Sequence, residues 1–346
     1  MKKVPVQDAV GNVLAHDLTK IEPGKSKGAR FKKGHKITSE DVPELLKMGK
    51  ENIYIYELEK GKVHEDDGAH KLARILARTN KDIELVGPSE GKISLKSKVD
   101  GLLKVDKSRL MSLNRWPEIV AVTCYNNMPV KENEIIAETR IVPLVIEEDK
   151  LKIIEREMLK SGDNVDDPII ELYRYNSLSA SLIVTGSEVY NGRVEDGFSS
   201  VVERKVKKYG SFIKDKVYLP DDEDMIKKAI VEESTKNNMV IVTGGMSVDP
   251  DDVTPTAIRK TGAEIITYGA PLLPGTMLML AYLEDTPIFG LPGCVMYART
   301  TAFDVFLPRI LAGERVVPEE ISTLGHGGLC FRCEECNFPK CGFGQG

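Results

Sequence analysis

From about residue 178 onward, short apolar runs alternate with segments of helical periodicity, and this alternation leaves the chain little freedom. The strand candidates are Ala180–Val184, Phe212–Tyr218, Met239–Val242, Glu264–Thr267 and Pro287–Phe289. Between and after them stand the helix candidates Ser199–Lys208, Glu223–Thr235, Thr254–Lys260 and Val295–Leu311. Apolar strands separated by helices predict an α/β fold: a mostly parallel, doubly wound sheet covered on both faces. Right-handed crossovers then bring the C-terminal ends of the strands to one edge, where such sheets bind ligands.

The preceding half reads differently. Asp8–Ala15 and Ile53–Tyr56 look like strands, with a capped helix from Thr38-Ser39 through Met48 and a stop at Gly49. This predicts a small α+β domain over 1–61. His64-Glu-Asp-Asp67 reads as a solvated acidic start to a helix that includes His70–Arg78. Strands are expected at Ile83–Val86, Lys92–Leu95, Gly101–Val105, Ile119–Val122 and Ile135–Ala137, which makes 62–150 a mostly β domain. Lys150–Ser161 reads as a helix and Ser161–Pro168 as a turn, so 151–177 is a linker. The α/β domain follows over 178–325, with a cysteine-rich tail at 326–346.

The net charge of −5 argues against general affinity for nucleic acid. No apolar run approaches the roughly 18 residues needed to cross a bilayer. Met1-Lys-Lys-Val-Pro-Val6 has no apolar stretch behind it, so a cytoplasmic protein with reduced thiols is expected.

The strand-end rule is testable on the sequence. The first strand of the α/β domain ends in Thr185-Gly186-Ser187-Glu188. The third ends in Thr243-Gly244-Gly245-Met246-Ser247, followed by the acidic loop Asp249-Pro-Asp251-Asp252. The last ends in Gly290-Leu-Pro292-Gly293, and a further loop holds Pro274-Gly275. Glycines let backbone N–H groups approach a ligand closely and attract anions. Carboxylates beside an anion site would repel it unless a divalent cation intervenes. The loops therefore point to a phosphorylated ligand and metal-assisted chemistry.

Together these motifs resemble the molybdopterin-binding domain shared by the MoeA, MogA and gephyrin proteins, in the same order and at about the same spacing. The resemblance covers roughly residues 178–313, and the multi-domain layout is similar to MoeA. It implies a ligand, molybdopterin or its adenylylated form, and an Mg²⁺-dependent reaction in which molybdate is inserted and AMP released. It also implies a homodimer; a molybdoenzyme apo-protein is a partner only if the chain delivers cofactor through its cysteine tail. By the residue chemistry, Asp252 and Asp251 are candidates to hold Mg²⁺, with Glu188 as a third acid and Asp196 as a weaker one. Thr185, Thr243 and Ser247 are candidate hydroxyl donors to phosphate. Gly244, Gly245 and Gly275 are candidate N–H donors. Gly186 and Gly293 would allow close approach, and Ser187, Pro274 and Pro292 complete the loops. The chain departs from the family at Ser187, where many members carry Asp, at Thr276, where a lysine is usual, and at Cys294-Val295, where Asn-Pro is usual. Two other functions stay open: a metal-dependent nucleotide pyrophosphatase similar to CinA, and a non-catalytic protein that delivers cofactor to a molybdoenzyme.

The tail carries a separate signal. Cys330-x2-Cys333-x2-Cys336-x4-Cys341 has the spacing of a metal-ligand set. Four thiolates suit tetrahedral Zn²⁺, and the first three spacings also suit an iron–sulfur cluster.

Overall fold

The computed structural model describes residues 1–22, 26–78, 80–160, 167–247, 249 and 252–345. The chain divides into two compact units. Met1–Val99, Leu103–Asn126 and Lys131–Leu172 form the first, and Asp100–Leu102, Asn127–Val130 and Tyr173–Gly346 form the second. Among the described residues, no helix is long and apolar enough to cross a membrane.

In the first unit, Lys2–Pro5 pairs antiparallel with Asn52–Ile55 over a core that includes Val6, Leu14, Phe31, Leu45 and Ile53. The stretch expected as a strand at 8–15 is not one. Val6–Ala9 is a 3-10 turn, and only single bridges form at Val13 and Leu14. Gly11, at φ 86°, breaks the extended run. A four-stranded antiparallel sheet follows, in the spatial order Ile83–Ser89, Lys92–Ser97, Ile135–Ile141, Ile119–Thr123. Every second residue of Lys92–Ser97 is buried, as expected of a sheet with one covered face. The helix Glu65–Ala77 packs on this sheet. Its acidic start is not solvated, as the sequence suggested. His64 and Glu65 are buried, and His64 caps the helix by accepting the Asp66 N–H on Nδ1 at 3.2 Å. Lys33 Nζ donates to the same Nδ1 and to Asp66, so a lysine distant in sequence draws this start inward. The turn expected at 161–168 falls mostly outside the described residues.

The second unit is built on a six-stranded sheet: β1 (Ser179–Thr185), β2 (Phe212–Leu219), β3 (Met239–Thr243), β4 (Glu264–Tyr268), β5 (Met279–Leu283) and β6 (Thr286–Leu291). Its spatial order is β2-β1-β3-β6-β5-β4. β1, β2, β3 and β6 are mutually parallel, and β5 alone runs against its neighbours. β5 was not foreseen: Met277-Leu-Met-Leu-Ala-Tyr-Leu283 is rich in good helix formers and has no β-branched residue. Burial between its two neighbours decides its conformation.

The helices α1 (Ser187–Tyr190), α2 (Ser199–Lys207), α3 (Glu223–Ser234), α4 (Thr254–Lys260), α5 (Ala302–Leu311) and α6 (Pro318–Thr323) cover the sheet. Alternation along the central strands sorts them into two layers. Leu182, Val184, Met239 and Ile241 pack with Val202 and Val206 of α2 and with Phe303 and Phe306 of α5. Ile183, Val240 and Val242 pack with Ile226 and Ile230 of α3 and with Ala257 and Ile258 of α4. A three-layer α/β/α arrangement results. Asp304 closes a capping box with Thr301 at the start of α5 and also accepts the buried Lys205 Nζ at 2.6 and 2.7 Å, tying α2 to α5.

The cysteine-rich tail belongs to this unit. Leu273 N–H donates to Gly328 O at 2.7 Å and Cys330 N–H to Leu273 O at 2.9 Å, so Leu329 pairs beside Leu273. Phe343 is buried in the same apolar cluster as α2 and α5, with Cys330, Phe338 and Cys341 packed against it.

Two predictions follow from this packing. Phe343→Ala, close to the C-terminus, should lower stability by about 3 kcal/mol, read as a fall in the denaturant midpoint; an unchanged midpoint would show that the tail is not part of the core. Asp196 accepts the N–H groups of Phe198 and Ser199 and the Tyr218 hydroxyl at the start of α2. Burial pushes its carboxyl up, but these donors and the Ser199 hydroxyl outweigh burial and hold it below the ordinary value of 3.8. The charged carboxylate therefore stabilises the fold above that value, and its contribution disappears as pH falls through the lower folded-state value. Asp196→Ala should cost about 1 kcal/mol at neutral pH, and melts across pH should show the gap closing in acid.

Candidate functional site

The chain leaves β1 for the edge strand β2, then returns to β3 on the other side of β1. The connections after β1 and β3 thus diverge, and such a switch point opens a crevice at the C-terminal edge of a sheet. Gly186–Glu188 and Gly244–Ser247 border it. Pro292-Gly293, after β6, lies on the next strand over. Because β5 is antiparallel, the connection from Tyr268 to Met279 begins and ends at this same edge, with Met279 opposite Gly290. Pro274 and Gly275 lie in that connection. All four loops singled out in the sequence therefore reach one edge.

The loops are held by buried hydroxyls. Thr185 Oγ1 donates to Thr243 O at 3.1 Å and lies 3.3 Å from Thr254 Oγ1, which donates to Gly244 O at 2.9 Å. Thr243 Oγ1 faces Ile183 O at 3.5 Å. Thr185 and Thr243 are 2% and 0% exposed. Their hydroxyls, expected to donate to a phosphate, are committed to backbone carbonyls instead, because buried hydroxyls must find partners. Gly244 has φ 91°, and an added Cβ would stand 2.3 Å from Thr185 O, so only glycine fits. A Cβ at Gly245 would lie 3.6 Å from Thr185 Oγ1 and 3.7 Å from Asp252 Cα, which places those three residues together. The N–H groups of Gly244 and Gly245 make no hydrogen bond among the described residues.

Carboxylates stand in the connections that follow β1, β2 and β3. Asp252 Oδ2 accepts the Asp249 N–H at 3.0 Å, and Asp252 N–H returns a bond to Asp249 O at 2.9 Å. Asp251 lies outside the described residues. Glu188 is exposed, and its carboxylate makes no hydrogen bond or ion pair among the described residues. Ser187 N–H donates to Asp221 Oδ2 at 2.8 Å, and Asp221 N–H faces Ser187 Oγ at 3.3 Å. Asp221 was missed in the sequence. Its signal is position: it follows β2, in Pro220-Asp-Asp222, at the same sheet edge. Ser247 is exposed, with its carbonyl 3.4 Å from the Tyr268 hydroxyl. Asp196 is the helix cap described above.

Gly275 has φ 110°, and a Cβ there would meet Ala302 N at 2.5 Å. Its N–H lies near enough to the Cys294 thiol to favour the thiolate. Burial pushes that thiol up, opposed by the N–H groups of Cys294 itself and Gly275. Gly293 is the opposite case: exposed, outside the left-handed region, and with nothing within 4 Å of an added Cβ. Nothing in the chain itself requires glycine at 293. Thr276, where a lysine is usual, donates its hydroxyl to Leu272 O at 3.0 Å.

The tail cysteines do not form the expected ligand set. Among the described residues, no group of three His, Cys, Asp or Glu side chains stands close enough to hold a metal ion. Each sulfur is occupied differently. Cys330 and Cys341 pack on the core, Cys336 Sγ lies 3.1 Å from Thr300 Oγ1, and Cys333 is exposed.

Two family models match this chain. Residues 3–57 match a family described as a domain of unknown function, and residues 181–312 match one described as "Probable molybdopterin binding domain". A Methanocaldococcus jannaschii protein named for molybdopterin biosynthesis is 27% identical over 163 residues, covering 43% of this chain and 40% of that protein. The molybdopterin molybdenumtransferase of Haemophilus influenzae is 27% identical over 149 residues, covering 41% of this chain and 37% of its own length. The matches thus span less than half of these relatives. The crystal structure of a molybdopterin biosynthesis MoeA protein from Pyrococcus horikosii matches at 14% identity and a TM-score of 0.31, over 90% of this chain and 74% of that one. Residues 181–312 of the chain are thus similar to the probable molybdopterin-binding domain family.

Proposed function

We propose that the crevice between β1 and β3 binds molybdopterin or its adenylylated form, and that the chain acts in molybdenum cofactor assembly as a molybdenumtransferase. The switch point supports this reading: Glu188, Asp221 and the Gly244–Gly245 turn with Asp252 follow β1, β2 and β3 at the sheet edge where the connections diverge. The N–H groups of Gly244 and Gly245, which make no hydrogen bond among the described residues, suit a phosphate, and the exposed Ser247 hydroxyl adds a donor. Gly293, unconstrained by its own chain, suits close approach of the ligand.

Mg²⁺ fits this donor set in one way. No three acidic side chains converge here among the described residues. Mg²⁺ is commonly held by one or two carboxylates, with phosphate oxygens and water completing its shell. Asp252, with Asp251 beside it in sequence, would supply the protein ligand, and the ion would offset the charge of a phosphoanhydride. Asp252 is already oriented by the Asp249 N–H. Asp221, bonded to Ser187, supplies a carboxylate where many relatives carry one at the Ser187 position itself.

The test is to purify the chain, add molybdopterin, and follow the bound pterin as its fluorescent oxidation product. Binding in the micromolar range is expected, and no binding at that level would remove the proposal. Asp252→Asn should retain most pterin binding and lower molybdate insertion about 100-fold, the scale of losing one electrostatic contact at a reacting centre. Asp221→Asn should lower insertion too; wild-type turnover in that variant would remove Asp221 from the site. Gly293→Ala should leave stability within about 0.5 kcal/mol while weakening pterin binding, and thermal melts beside binding titrations separate the two effects.

A further inference from the structure

Five of the chain's six cysteines line one cavity. It has a volume of about 480 Å³ and lies where the tail meets the loops of the second unit, with Pro274 on its wall. Cys294 comes from the loop after β6, and Cys330, Cys333, Cys336 and Cys341 come from the tail. Sixteen residues line the cavity, so nearly a third are cysteine in a chain that has six among 346. None forms a disulfide. Sequence spacing alone connected only the four tail residues. The fold adds Cys294, which is more than 30 positions away in sequence.

The rest of the wall suits metal-bound sulfur. Phe338 and the buried Phe343 give its inner wall an aromatic lining, while Phe331 and Tyr297 stand exposed at its rim. Arg299 and Arg332 also line it. A divalent ion with four thiolates carries a net charge of −2, and the two guanidinium groups, less the Glu334 carboxylate on the same wall, would offset about half of it. Donors already face two of the sulfurs: Arg332 N–H lies 3.4 Å from Cys330 Sγ, and Thr300 Oγ1 lies 3.1 Å from Cys336 Sγ. Hydrogen bonds to ligating sulfur are the usual outer-shell support of thiolate centres.

We propose that this cavity is a thiolate-ligated metal centre in which Cys294 is a ligand together with tail cysteines. The sulfurs stand apart as thiols, and the metal displaces their protons as it gathers them. Turning a cysteine about χ1 redirects its sulfur without moving the backbone. The centre holds either a single thiophilic ion, such as Zn²⁺, or an iron–sulfur cluster, since both are recognised by the same thiolates. In either form the centre adjoins the Pro274 loop, which lines the same cavity. The proposal does not rest on pterin binding, and its readout needs no pterin.

The experiment uses the full chain purified without oxygen. Metal analysis should find close to one centre per chain. Zinc alone identifies the single ion, and iron with acid-labile sulfide identifies the cluster. After chelation, titration with Co²⁺ should produce thiolate-to-cobalt charge-transfer absorption. Loss of an outer-shell partner typically weakens a metal site 10- to 100-fold, so Cys294→Ala, which removes a ligand, should weaken Co²⁺ binding by at least about tenfold. Cys333→Ser should do the same, and because Cys333 is exposed, that change does not disturb the core. Matching melts of the chelated wild type and Cys294→Ala would exclude unfolding as the cause. No cobalt–thiolate band in the wild type, or wild-type affinity in Cys294→Ala, would overturn the proposal.

Discussion

The candidate site depends on one buried contact, the Thr185 hydroxyl donating to Thr243 O across two strand ends. With Thr254 closing onto Gly244 O, it ties the ends of β1 and β3 and the start of α4 into one braced edge. A buried hydroxyl left without a partner costs roughly 1–3 kcal/mol, so each of these groups favours the assembled geometry over a frayed one. Gly244 is the steric complement of that bond, since any Cβ would collide with the Thr185 carbonyl. The crevice is thus shaped before any ligand arrives, as preorganised binding requires.

That bracing separates two kinds of residue with the same surface signature. Thr185, Thr243, Gly244 and Gly275 all fall in the motifs that carry the family resemblance, and in the ligand-free chain each has a structural task. Glu188, Ser247 and Gly293 have no comparable structural task among the described residues, and the proposed ligand would account for them. The carboxylates share the edge with open N–H groups, a combination that suits an anion and a cation held together rather than either alone.

Much of this was legible in the sequence because the periodicities were clear. All five strands foreseen in the second unit form within two residues of their expected ends, and Thr254–Lys260 is a helix over its whole expected length. The failures have physical causes. β5 is made of helix formers and takes its conformation from the strands beside it. At the acidic start His64 and Glu65 are buried while Asp67 stays exposed, and Lys33 reaches His64 and Asp66 from a distant segment. Asp221 carried no motif and became visible only when β2 was placed next to β1. The thiol cavity could not be read from spacing, since Cys294 reaches the tail only through the fold.

The tail is hydrogen-bonded to the loop it adjoins. Leu273 gives its N–H to Gly328 and takes the N–H of Cys330, one residue before Pro274. A strand-like pairing at that point makes the loop and the chain terminus a single mechanical element. Any occupant that displaces Pro274-Gly275 must also displace Leu329, and anything that stiffens the tail narrows the positions open to the loop. Linkage of this kind is reciprocal: whatever free energy the tail contributes to holding a ligand at the loop, the ligand returns to the ordering of the tail.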